Sequence, residues 1–68
     1  MRWKRKLNGE LEGRRAGAAS AEAFVWRGIK LPLGQVVYLW VTWTETTNRS
    51  GWNYTLKDAK REASESLR

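Results

Sequence analysis

The sequence predicts an α+β domain, a small antiparallel β-sheet of three to five short strands packed on one C-terminal α-helix, and three observations predict it. Residues 35–46 are dense in β-branched and aromatic side chains that alternate with a period of two. Asn8-Gly9 sits between two short runs of mixed charged and apolar residues, the dipeptide that most often turns a hairpin. From Thr55 onward, apolar residues recur at helical spacing behind a capping signal. With 68 residues the chain holds a single domain, and a domain of that size buries roughly 60% of its unfolded surface.

Residues 2–14 read as a β-hairpin with strands 2–7 and 10–14, closed by a two-residue type I′ turn that needs φ > 0 at both Asn8 and Gly9. A helix using Trp3, Leu7 and Leu11 would carry Gly9 in its interior at a cost of about 1 kcal/mol. Small residues and glycines make 15–20 a flexible connection. Residues 21–54 supply the rest of the sheet. Ala23 to Arg27 alternates as a strand that Gly28 to Gly34, with Pro32, brings to a turn, and Gln35 to Thr46 is the longest strand. Its odd positions Val37, Leu39, Val41 and Trp43 form an aliphatic and aromatic row suited to the core, which sends Val36, Tyr38, Trp40, Thr42 and Thr44 to the opposite face. Thr47 to Gly51 is a turn by composition, and Trp52 to Tyr54 returns as a short strand.

A helix spans 55–67. Thr55 is its N-cap, and Asp58 stands where a capping acid and the helix dipole both favour negative charge. Leu56, Ala59, Ala63 and Leu67 form a narrow stripe, and its two alanines predict a close approach to the sheet.

The chain has no cysteine and no histidine, which excludes a disulfide scaffold and a zinc knuckle and leaves no cofactor implied. Five Trp, two Tyr and one Phe supply the volume instead; each such ring system buries on the order of 150–250 Å². No paired carboxylates, triad or phosphate-cradling glycine loop is present, so the chain is not expected to be an enzyme. The apolar run Val36 to Val41 is far short of the ~20 residues that span a bilayer. Because no apolar stretch follows the basic start, the expected location is cytoplasmic.

Thirteen Lys and Arg against seven Asp and Glu leave a net charge of +6, enough to attract polyanions. Residues 1–15 concentrate it in Arg2, Lys4, Arg5, Lys6, Arg14 and Arg15, and Arg27, Lys30 and Arg49 follow along the sheet. Tyr38 and Trp40 complete the candidate surface, since cations interleaved with ring faces suit phosphates and bases. The same composition suits a protein interface, because Trp, Tyr and Arg dominate hot spots. Two readings therefore stand: nucleic-acid binding, with DNA favoured over RNA, and a protein-interaction module or homodimer using the Tyr38 and Trp40 face. A basic face kept only for solubility, with the aromatics as core, competes with both.

The stretch Gly51-Trp52-Asn53-Tyr54-Thr55-Leu56-Lys57-Asp58-Ala59-Lys60 resembles the close of many small uncharacterised phage and prophage proteins, which end in an aromatic strand and a Thr-Leu-x-x-Ala-Lys helix. The opening Met1-x-Trp3-Lys4-Arg5 is similar to theirs as well. More distantly, the order of sheet then helix with a basic surface resembles the arm-site DNA-binding domains of tyrosine integrases, which lay a three-stranded sheet in the major groove. The resemblance implies a phage-type βββα domain in a bacterial host cell more than it implies any activity; the interaction module would then be, for example, a phage-encoded inhibitor of a host protein.

Overall fold

The computed structural model describes all 68 residues, Met1–Arg68. The elements follow one another as β1 (Arg2–Arg5), β2 (Leu11–Arg14), β3 (Ala23–Lys30), β4 (Gln35–Trp43), β5 (Asn48–Asn53) and α1 (Leu56–Ser66). Every strand pairs antiparallel with its neighbour in sequence, so the sheet order is β1-β2-β3-β4-β5, and α1 packs on one face. This is the α+β architecture that the hairpin, strand and capping signals predict.

Local chemistry sets the boundaries. Thr55 has an extended backbone and its Oγ1 accepts the Asp58 N–H at 3.2 Å, so α1 starts where the capping signal places it. The β1–β2 turn differs from expectation. Only Gly9 has positive φ, at 89°, while Gly9 N–H donates to Lys6 O and Lys6 N–H donates to Glu10 O. The loop is therefore the three residues Leu7, Asn8 and Gly9, with the glycine in the left-handed position, rather than a two-residue type I′ turn. Three further boundaries move, the first being the end of β4, which stops at Trp43 and not Thr46. β3 runs through Gly28 to Lys30 because each of its residues finds a partner on β4, from Ala23↔Thr42 to Lys30↔Gln35. β5 begins at Asn48, not Trp52, because Thr44 Oγ1 accepts the Thr47 N–H at 3.0 Å and closes the turn one residue after β4.

The largest correction concerns the faces of β4. The core joins Leu11, Ala23, Val25, Trp40, Ala59, Ala63 and Leu67, with Trp3, Tyr38 and Leu56 packed against it. The helix thus covers Tyr38, Trp40 and Thr42 of β4, so Tyr38 and Trp40 lie beneath it instead of on the free face; Val36 at the strand's start is exposed, and of the row expected inside only Val37 is buried. Trp40 is only 7% exposed and Trp43 is 63% exposed. Side-chain size explains the choice. A Cβ at Gly51 would come within 2.7 Å of the Trp40 indole, and one at Gly13 within 2.8 Å of the Trp3 ring. Two indoles lie against glycine backbone, and the alanines of α1 join them in the core; the open face has one counterpart, Leu39 over Gly28, where a Cβ would come within 2.5 Å of Leu39 Cδ1. At the end of the row, Thr42 is buried and its hydroxyl bonds Ser66 Oγ at 2.7 Å. The indole Nε1–H of Trp40 and, at the other end of the row beside Tyr38, Oδ1 of Asn53 are buried without a partner, which subtracts from the gain in apolar burial.

Trp40→Ala is expected to cost about 3–5 kcal/mol and leave the chain largely unfolded, whereas Trp43→Ala should scarcely move a urea midpoint. Trp40→Phe, which removes the unpaired donor while keeping a ring, should cost much less than Trp40→Ala. Thr55→Ala should cost about 1 kcal/mol through loss of the cap. An equal loss from Trp43→Ala and Trp40→Ala would contradict the faces described above.

Candidate functional site

Strand alternation and register divide the sequence-predicted site residues between two faces. Trp3 packs on the core, so its neighbours Arg2 and Lys4 point to the open face; Arg14, opposite Arg2, and Glu12, opposite Lys4, join them. Arg2, Lys4, Glu12 and Arg14 line one shallow groove of about 440 Å³. Lys6 extends this corner and holds Glu12 at 3.4 Å and Glu10 at 3.8 Å. Lys30, at the far end of β3, stands over the Trp52 ring at 4.1 Å and the Tyr54 ring at 5.8 Å.

The other predicted residues sit elsewhere. Arg5, Arg27 and Tyr38 line a groove of about 650 Å³ on the helix side, beside Leu56 and the β1–β2 turn. Arg49 pairs with Thr42 across β4 and β5 on that same side, exposed at the sheet edge. Trp40 is core. Arg15 is held by structure: its Nε and Nη2 bond the two Glu22 carboxylate oxygens at 2.9 and 2.8 Å, and its Nη1 donates to Leu67 O at 2.7 Å. The last turn of α1 has no basic residue of its own, so Arg15 places a cation against the carbonyl end of the helix dipole. The hydrogen bonds from Arg15 hold the Glu22 carboxyl below its ordinary range.

Sequence reasoning missed the aromatic half of the open face. Trp26, Leu39 and Trp52 form one row across β3, β4 and β5, with Phe24 and Val41 in the row beside it. Trp43, Trp52 and Tyr54 are exposed, Trp26 is about one third exposed, and Trp52 meets Tyr54 edge to face at 5.1 Å between centroids. The signal lay in the glycines. Gly13 and Gly51 are strand residues opposite Trp3 and Trp40, and an interior strand glycine marks close approach of a large neighbour.

No family, curated protein or solved structure matches this chain. The strands hold Arg2, Lys4, Arg5, Arg14, Arg27, Lys30 and Arg49 against the single acid Glu12. The helix balances Lys57, Lys60 and Arg61 with Asp58, Glu62 and Glu65, and the turns and chain ends balance Lys6, Arg15 and Arg68 with Glu10, Glu22 and Glu45. The whole formal charge of +6 thus resides on the strands. Four of the seven strand cations belong to the open face, and one of them, Lys30, stands against exposed rings.

The Arg15–Glu22 clasp makes a pH prediction. A carboxyl whose pKa is lowered by folding contributes stability that is full above its unfolded value and is lost as pH falls through the folded value. Glu22→Gln should therefore lower the thermal midpoint at neutral pH, and the gap from wild type should close on acidification through the lower carboxylate range. A gap that is unchanged at acid pH would show that the clasp acts through shape and not charge.

Proposed function

We propose that the chain binds nucleic acid through the open face of its sheet. The observation that carries this reading is the confinement of the entire net charge to the strands, on a sheet whose uncovered side adds exposed rings to the cations. The helix mixes three cations with three acids, as a solubility surface does, and adds no net charge. Arg2, Lys4 and Arg14 are placed for phosphates, with Lys30 as a second anchor beyond the aromatic row. The sheet has five strands, not the three of the arm-site layout, so DNA as the partner, and a small accessory role in a bacterial cytoplasm, are proposed on the charge and the rings alone.

The test is titration of a labelled mixed-sequence oligonucleotide at low and moderate salt. Log affinity should fall linearly with log salt, by about 0.7–0.9 per phosphate contacted. The pair Lys4→Glu and Arg14→Glu should weaken binding and flatten that slope together, whereas Lys57→Glu, on the helix, should change little. Binding that ignores both salt and the sheet charges would remove this reading.

One observation favours a second reading, a protein-interaction module. β3 and β4 extend past the pairing limits of β2 and β5 as a two-stranded arm, and its end exposes Ile29, Leu31, Leu33 and Val36. If that tip drives self-association, sedimentation should show a concentration-dependent dimer that Leu31→Ser abolishes.

A further inference from the structure

Building on the nucleic-acid reading above, we infer that the open face takes single strands and holds their bases flat on the Trp26–Trp52 row. A ring face can stack only on a base face that is free. In a duplex the base faces are covered by their neighbours, and a protein meets only groove edges and phosphates. A single strand offers both faces and its backbone at once, and every base has such a face, so recognition of this kind is tolerant of sequence.

The geometry fits that substrate. Trp26 and Trp52 sit two strands apart with Leu39 between them, a separation of about 10 Å at the usual ~4.8 Å strand spacing. The row is apolar, and the β1–β2 corner with Arg2, Lys4 and Arg14 lies on one side of it. On the other side Lys30 rests its ammonium on the Trp52 ring, 4.1 Å from the centroid. A base that stacks on Trp52 takes the position of that ammonium. Lys30 is then released toward the phosphate of the same nucleotide, so its charge serves the ring in the free protein and the strand in the complex. No acid of the sheet opposes this arrangement outside Glu12, whose charge faces Lys6.

The experiment compares full-length wild type on fluorescein-labelled oligo(dT), oligo(rU) and a blunt duplex of equal length, by anisotropy at low salt. Single strands should bind at least tenfold more tightly than the duplex, and the dT and rU arms report whether the sugar matters. Trp26→Ala and Trp52→Ala should each weaken single-strand binding by roughly 5- to 100-fold, leave duplex binding unchanged, and keep a cooperative melt. Trp52→Phe, which keeps a stacking face, should retain most of the affinity and guards against a folding defect in the alanine variant. Duplex binding equal to or tighter than single-strand binding, or single-strand binding indifferent to both tryptophans, overturns the stacking inference and leaves the nucleic-acid reading standing. Absence of salt-sensitive binding to all three probes overturns the reading itself.

Discussion

The fit of two tryptophan side chains onto two glycines fixes most of the rest of this molecule. In a chain with no disulfide and few large aliphatic residues, the indoles of Trp40 and Trp3 must supply the interior. They do so only where the neighbouring strand offers bare backbone, at Gly51 and Gly13. Both seats lie on the side of the sheet that the helix closes. Ala59 and Ala63 then bring the helix near enough to seal the layer, and Leu67 and Leu56 finish its ends. The opposite side, with Trp26, Leu39 and Trp52, is left uncovered as a result.

The architecture was legible because its signals are local. A threonine cap, an i, i+3, i+7 apolar stripe and a β-branched run each specify their element through a few adjacent residues. The side of the sheet that faces inward was not legible from β4 alone. Val37, Leu39 and Val41 alternate with Tyr38 and Trp40, so both rows are apolar and period-two patterning cannot rank them. The deciding residues lie on other strands, and Gly51 reads from composition as part of a turn. For the candidate site, the same inversion hid Trp26 and Trp52. The basic corner was readable, since Arg2 and Lys4 alternate with Trp3 whichever way the sheet faces.

Charge and edge protection are arranged together. β1 has one unpaired edge, and an open edge invites pairing with another chain. Arg2, Lys4 and Arg5 occupy that strand, so two copies meeting edge to edge would bring like charges into register. At the other margin, β5 is followed within a few residues by the turn into α1.

The uncrossed strand order also bears on how fast the sheet assembles. Each strand pairs with the one before it in sequence, so every hairpin closes a short loop and loses little chain entropy on doing so. A sheet of this kind has an unusually local set of contacts for a β-rich protein, which places its folding toward the fast end for such folds. The β3–β4 ribbon, with eight paired positions and a four-residue connection, is the natural nucleus. The distant contacts belong to the helix, as with Arg15 and Leu67, 52 positions apart. Docking of α1 onto the glycine-floored surface therefore waits until the strands it covers have formed, since the helix carries the seal for residues made much earlier.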